Sequence, residues 1–529
     1  MAIKLDMSKA YDRVEWDYLK AVMLKLGFHS KSIDLIMECV STVSYSILIG
    51  GEPMGRVLPG RGLKQGDPLS SYLFLLCVEG LSSLLRKAEA ENLISGMAAS
   101  RHGPIVSHLF FADDSLLFCK ASVEACEFLQ EVLNVYARAS GQILNEEKTG
   151  LFFTNNTNEV TRSSIQRIFG APWNNNIGKY LGLPSLVGRD KRRVFEDIKT
   201  RVWQKLQDWK SKLVSQVGRE VLIKVVVQAI PSYAMSVFKL PFGLCDEFER
   251  MVRSFWWGQR NQEWKMHWMK WSKMCKSKWD GGMGFRDARL FNQALLARQC
   301  WRLLKSPHSL VFQVLKAKYF PNETFMNAKV PNNASFTWRS IMWAQPVIEK
   351  GTRWRVGDSE DIHIWKDRWL PSPTTFKVIT PIFGMLGDAK VSELITQDPL
   401  CWNLPLIDSL FMERDAALIK NLPLSFRKPR DSLIWNGSIK GLFSVKSAYY
   451  MLKQENQTAN AGESSSTSSL QGVWKVVWSL QVPQKIQAFI WKACNNATPT
   501  NKNLFHRGII SSSTCAVCTE EVESISHIL

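Results

Sequence analysis

Three aspartates, Asp6, Asp113 and Asp114, are the residues whose type and setting could do chemistry in this chain. Hard divalent cations such as Mg²⁺ take oxygen ligands, so carboxylates from separate segments become useful when folding brings them to one point. Two such cations about 4 Å apart can activate an attacking hydroxyl and neutralise a leaving pyrophosphate, which is what nucleotidyl transfer requires. Singly these residues say little, because an Asp-Asp pair is common turn chemistry and an Asp after a strand is usually a cap. A second cluster, Cys515-x2-Cys518 followed by His527, has the softness and spacing of three ligands to a structural zinc ion.

The elements around the aspartates decide whether they can meet. Residues 2–5 (AIKL) form a short apolar run ending at Asp6, and apolar positions then recur at helical spacing from Val14 to Phe28, with a stop at Gly27. Asp67 and Pro68 suit the N-cap and first position of a helix starting at Leu69 and running to about Lys87. The stretch SHLFFADDSLLFCK (107–120) sets two apolar runs about a polar pair, the pattern of a hairpin with Asp113 and Asp114 at its turn. A helix from about Val123 to Ala139, a turn at Ser140-Gly141 and a strand near 151–154 follow. The order predicts an α+β layer, a sheet with helices on one face.

At 529 residues the chain needs several cores. With 67 Lys and Arg against 48 Asp and Glu, its +19 charge repels itself in a compact fold unless a polyanion is the partner, and nucleic acid is the natural candidate. No basic amphipathic helix beside an apolar anchor speaks for a membrane. The N-terminus lacks the apolar run of a signal peptide, and Val221 to Ile230, broken by Lys224 and Gln228, is too short to span a bilayer and reads as a buried helix or strand. Eleven scattered Cys argue for an intracellular, reducing setting rather than a disulfide framework. Beyond residue 155 the chain turns basic, helical and rich in Trp (Trp203, Trp209, Trp256, Trp257, Trp264, Trp268, Trp271, Trp279), rings that serve base stacking in some proteins and core packing in most. The run ESSSTSS (463–469) reads as a linker or long loop.

LDMSKAYDRVEW, GLKQGDPLSSYLF, FFADDSLLF and GQILNEEKT resemble motifs A to D of reverse transcriptases, in the family's order, and KYLGLPSLVGRD resembles motif E. The wording resembles the reverse transcriptases of plant non-LTR (LINE-type) retrotransposons. WDGGMGFRDARLFNQALLARQCWRLL and GTRWRVGDSEDIHIWKDRWLP resemble the region that follows the polymerase there. The stretch from GLFSVKSAYYML to CAVCTEEVESISHIL resembles the family's zinc-binding C-terminal domain. The resemblance implies a right-hand polymerase palm at 1–155, motif E with a helical thumb and connection at 156–300, a Trp-rich connection at 301–440 and the zinc-binding domain at 441–529.

It further implies an RNA-directed DNA polymerase using Mg²⁺ or Mn²⁺, an RNA template, a DNA primer or target and deoxynucleoside triphosphates, acting in the nucleus. Asp6, Asp113 and Asp114 would hold the metals and Met7 would offer a carbonyl. Tyr11 would be the steric gate against a ribose 2′-hydroxyl, a position otherwise read as a core aromatic. Gln65 and Gly66 would lie against nucleotide and template, although Asp67-Pro68 makes the same stretch an ordinary helix entry. Lys148 would approach the triphosphate, or else be a solvated loop lysine. The resemblance also implies that the fingers, which precede motif A in the family, are largely missing, as are the endonuclease and ribonuclease H regions. A fourth zinc ligand, a Cys lying downstream in the family, would have to be replaced by Cys494 or His506. The alternative is a catalytically inactive, basic nucleic-acid-binding remnant, which would keep a salt-dependent affinity for phosphate backbones.

Overall fold

The computed structural model describes residues 1–174, 176–210, 214–258, 266–372, 375–382, 384, 387–459 and 471–529. They form two compact units, Met1–Val187 with His308–Asn322, and Gly188–Pro307 with Glu323–Leu529. Trp264 and the polar run at 463–469 lie outside the described residues.

In the first unit the elements run β1 (Ala2–Leu5), α1 (Trp16–Lys25), α2 (Ser30–Ser41), β2 (Tyr45–Ile49), β3 (Glu52–Val57), α3 (Pro68–Ala90), β4 (Met97–Ala98), β5 (Ile105–Val106), β6 (His108–Phe111), β7 (Asp114–Phe118), α4 (Val123–Ser140), β8 (Gly150–Phe152), α5 (Glu159–Phe169), β9 (Lys179–Tyr180) and β10 (Leu183–Pro184). A helix at Leu310–Tyr319 belongs to the same unit. The main sheet is antiparallel in the order β6-β7-β1-β8. Ile3 pairs with Leu117 on one side and Leu151 on the other, and directly paired residues share a face. That face is buried: Ile3, Leu5, Leu117 and Leu151 join Leu81 and Leu85 of α3 and Leu129, Leu133 and Tyr136 of α4 in one core. The period of two in a strand sends Lys4 to the opposite face.

The expected helix entry is present. The Asp67 side chain accepts a hydrogen bond from the Leu69 amide (2.8 Å) and Pro68 occupies the first turn of α3. Among the described residues α3 alone is long and apolar enough to cross a membrane, but it turns its buried residues into the two cores of this unit. The helix expected at 14–28 is shorter, because Val14 and Tyr11 are held by backbone bonds to Gly62 and Leu63 before α1 begins. Residues 30–57, to which the sequence reading gives no elements, form α2 and the β2-β3 hairpin, all of whose residues are exposed.

The second unit is mainly helical, with a two-stranded ladder joining Thr352–Arg355 to Ser432–Trp435. Its tryptophans mostly pack. Trp256 and Trp271 flank Phe285 at ring-centre distances of 5.3 and 5.5 Å, and Trp369 stacks with Trp402 at 6.4 Å. Trp203 and Trp279 depart from this pattern, at 52% and 53% exposed. The apolar run at 221–230 is helical, passing into a π-helical turn at Ile223–Val227 that buries Ile223 and Val227. All eleven cysteines are free thiols.

Candidate active site and metal-binding knuckle

Asp6 stands directly after β1, whose register with β7 pairs Leu5 with Ser115. One more step along both strands sets Asp6 opposite Asp114, the first residue of β7. By alternation both carboxylates belong to the face that carries Lys4, away from the helices. Phe111 pairs with Asp114 to close the β6-β7 hairpin, so the turn itself is Ala112-Asp113 and Asp114 already belongs to the strand. Ala112 is held at φ +51°. The left-handed region costs a residue with a Cβ roughly 1–2 kcal/mol, and strain of this kind gathers at functional sites. Asp113 is exposed, while Asp6 and Asp114 are half-buried.

The three carboxylates are neighbours by backbone register without closing on each other: among the described residues, the group of potential ligands whose atoms all lie within 4.8 Å of one another is Cys515, Cys518 and His527. Three like charges repel, so a wider spacing is what their own electrostatics favour. Their oxygen chemistry suits hard divalent cations.

Asp6 is anchored by the segment that carries Lys148. The Asn145 amide donates to the Asp6 carbonyl (2.8 Å), the Asp6 amide to Thr149 Oγ1 (3.4 Å) and the Ser8 amide to the Ile143 carbonyl (2.8 Å). Met7 forms a β-bridge with Leu144, and the Lys148 amide donates to Asn145 Oδ1 (3.2 Å), leaving the exposed lysine on a loop pinned to Asp6. Gln142, buried, donates from its side chain to the Ala10 carbonyl (2.7 Å). Tyr11 stacks on Phe74 of α3, with ring centres 4.5 Å apart and planes at 17°. The Leu63 amide donates to the Tyr11 carbonyl (2.8 Å) and Trp16 Nε1 to the Gly62 carbonyl (2.8 Å), tying the loop that bears Gln65 and Gly66 to the segment after Asp6. Gln65 and Gly66 are exposed.

Residues not singled out from the sequence also border this face. Lys4 Nζ donates to the Lys179 carbonyl (3.2 Å), drawing the β9-β10 hairpin to the open side of the sheet. Tyr180 in that hairpin has its phenol pushed up by burial and by the nearby Asp114 carboxylate. Leu181 and Gly182, both at positive φ (50° and 74°), form its tight turn. Tyr180 lies within the KYLGLPSLVGRD stretch, but no spacing rule singles it out.

At the other end of the chain, Cys518 Sγ lies 3.4 Å from His527 Nε2, and His527 Nδ1 is 3.1 Å from Glu521 Oε2. The Val517 amide points at Cys515 Sγ (3.4 Å). Backbone amides of Glu521 and Glu520 hold the Cys518 thiol down, to about 7. Amides aimed at sulfur and a carboxylate behind a histidine suit a soft, positively charged ion such as zinc. Neither Cys494 nor His506 joins this group.

Two family profiles match. The one described as reverse transcriptase (RNA-dependent DNA polymerase) covers residues 1–185, and the one described as zinc-binding in reverse transcriptase covers 443–529. This chain belongs to the non-LTR reverse transcriptase family. A protein of Arabidopsis thaliana named for a ribonuclease H is 30% identical over 351 residues, 66% of this chain and 55% of that protein. An uncharacterized mitochondrial protein of the same plant is 40% identical over 147 residues, 28% of this chain and 96% of its own length. A retrovirus-related Pol polyprotein from a type-1 retrotransposable element R2 of Popillia japonica is 29% identical over 146 residues, 28% of this chain and 23% of the polyprotein. The chain thus spans about half of the first relative and under a quarter of the third.

Proposed function

We propose that this chain is an RNA-directed DNA polymerase of a plant retrotransposon, extending a primer 3′-hydroxyl on an RNA template with deoxynucleoside triphosphates. The observation that supports it best is the meeting of Asp6 and Asp114 across paired strands, on the sheet face opposite α3 and α4, with Asp113 in the adjoining turn. Mg²⁺ or Mn²⁺ held by these carboxylates would activate the 3′-hydroxyl and neutralise the departing pyrophosphate. The protein's own part is positioning and electrostatics. Asp6, Asp113 and Asp114 supply the oxygens and Met7 a backbone carbonyl. Tyr11, backed by Phe74, stands where a 2′-hydroxyl would be rejected. Gln65 and Gly66 form the loop against nucleotide and template, and Lys148 carries a cation toward the triphosphate.

In this reading residues 1–155 are the palm, 156–300 hold motif E, the thumb and a helical connection, 301–440 are a Trp-rich connection, and 441–529 are the zinc-binding domain, in which Cys515, Cys518 and His527 hold Zn²⁺. Action on a chromosomal target would make the nucleus its workplace. The test is extension of a DNA primer annealed to an RNA template, with Mg²⁺ or Mn²⁺, by wild type beside Asp113→Asn. Extension by wild type alone is expected. Extension by neither protein, with both folded, would overturn the proposal.

A further inference from the structure

The second unit holds an open cleft of about 510 Å³, distant in sequence from the aspartates, lined among others by Lys278, Trp279, Trp478, Gln481, Gln484 and Gln487. A drug-sized or nucleoside-sized group fits a space of this order. Its walls come from the 3₁₀ turn Lys278–Asp280, the end of the helix Gln471–Ser479 and the start of the helix Gln484–Cys494.

The cleft combines flat apolar surface with unspent polar groups. Trp279 is 53% exposed, and no ring contact to it is present among the described residues. Trp478 is half-buried and fixed: Lys278 Nζ sits 4.3 Å from its ring centre and is itself held by Glu220 (2.8 Å). The Trp478 indole nitrogen is buried without a hydrogen-bond partner. Gln487 is engaged, donating to the Leu480 carbonyl (2.7 Å), whereas the side chains of Gln481 and Gln484 are exposed and bond to no described residue. A carboxamide offers both donors and an acceptor, which suits the edge of a heterocycle. Glu220 is shared between Lys224 (2.6 Å) and Lys278 (2.8 Å), so positive charge remains beside Trp478, and Lys475, one helical turn before Trp478, and Lys485, next to Gln484, both exposed, add further charge for a phosphate.

We infer that this cleft binds an unpaired base of a single-stranded nucleic acid, stacked on Trp279 and edged by Gln481 and Gln484, with the flanking phosphates near Lys475 and Lys485. Aromatic faces with basic neighbours take successive bases of a single strand with little regard to sequence, whereas a duplex keeps its bases out of reach. The site needs no catalysis at the aspartates and would stand if the polymerase reading failed.

The experiment is ultraviolet cross-linking of the full chain to short unstructured oligonucleotides carrying iodouracil, one of RNA and one of DNA, with the attached peptide mapped by mass spectrometry. Fluorescence anisotropy with the same oligonucleotides and with a blunt duplex runs beside it. Cross-links on Trp279 or Trp478 are expected. Trp279→Ala is expected to weaken single-strand binding by roughly tenfold while leaving the duplex within about twofold, and Trp279→Phe to restore most of the loss. Trp203→Ala, removing an equally exposed ring outside the cleft, is expected to change nothing. A preference between the two oligonucleotides would say which strand the cleft takes. Cross-links confined to other segments, with Trp279→Ala binding as wild type, overturn the inference. So does a Trp279-dependent affinity for proline-rich peptide without one for oligonucleotide. An Asp113→Asn chain that no longer extends a primer but still cross-links at Trp279 separates the two sites.

Discussion

The segment after Asp6 packs against the end of α4 at Gly141, and replacing that glycine by alanine gives a graded test of how the end of β1 is held. Gly141 caps α4 at φ +76°, and a Cβ built there would lie 2.3 Å from the Arg13 carbonyl oxygen and 2.8 Å from Glu15 Cγ. The conformational part of Gly141→Ala costs roughly 1 kcal/mol, and forcing a methyl against a backbone oxygen adds about 2 kcal/mol. Gly27→Ala isolates the first part, since Gly27 has φ +84° but nothing within 4 Å of its built Cβ. For a unit of roughly 200 residues each kcal/mol shifts the transition by about 2–4 °C, so Gly141→Ala should lower it by roughly 6–12 °C and Gly27→Ala by about 2–4 °C. Relief of the clash pushes residues 13–15 outward. The Glu15 amide then loses the Ser140 carbonyl (3.0 Å), and the strain runs back to Asp6 and Tyr11. Primer extension well below the transition should therefore fall for Gly141→Ala and stay near wild type for Gly27→Ala. Equal shifts in calorimetry, or unimpaired extension by Gly141→Ala, would refute the reasoning.

Asp114→Asn should reduce extension by roughly a hundredfold or more, because charge stabilisation by a bound cation is worth several kcal/mol, while filter binding to a primed template stays within about twofold. Tyr11→Val removes the ring stacked on Phe74, and competition between ribo- and deoxynucleoside triphosphates should then show raised ribonucleotide incorporation; unchanged discrimination in an active preparation counts against the gate. Cys518→Ser should abolish the zinc that native mass spectrometry finds on wild type, and equal zinc on both proteins would remove Cys518 from the ligand set. Glu249, pushed up to about 7 by desolvation and by the charges of Asp287 and Asp246, against the opposing backbone bond from Ala288, binds its proton more tightly folded than unfolded. Its contribution to stability is thus full below the ordinary carboxylate range and lost as pH rises through about 7, so Glu249→Gln should flatten that decline in thermal unfolding. A decline of equal slope in both proteins would disprove it.

The palm was legible because its signals are local. Asp67-Pro68 caps α3 by its own side chain and fixed φ, and the apolar runs about Asp113 carry the period of two that a half-buried hairpin requires. The β2-β3 hairpin had a partial signal, the β-rich run YSILI leading into Gly50-Gly51, both at positive φ, but the returning EPMGRV carries Pro53 and Gly55, and exposure on every residue gives the hairpin no buried face to register against. What no spacing could give is the convergence of distant segments. Tyr180 comes near Asp114 and Lys4 meets Lys179 only once the chain has closed, and the same holds for Trp279, which reads from sequence as one more ring in a Trp-rich stretch, and Trp478, which no sequence signal singles out.

The shape of the sheet explains why the aspartates face outward at all. With α3 and α4 covering the face of Ile3, Leu5 and Leu117, any charged residue there would be desolvated without a partner, at a cost of several kcal/mol. The alternation of β1 and β7 therefore leaves the face opposite α3 and α4 as the side on which Asp6 and Asp114, only half-buried, keep contact with water. The strained turn at Ala112 then does the remaining work, since a two-residue loop of the primed kind keeps the twist of β6 and β7 and brings Asp113 beside Asp114 at the sheet edge. Ala112→Gly, which relaxes that turn, should accordingly stabilise the unit by a fraction of a kcal/mol to about 1 kcal/mol while lowering extension, because a looser turn holds Asp113 less firmly. If Ala112→Gly gained stability and kept full activity, the strain would be incidental to the site.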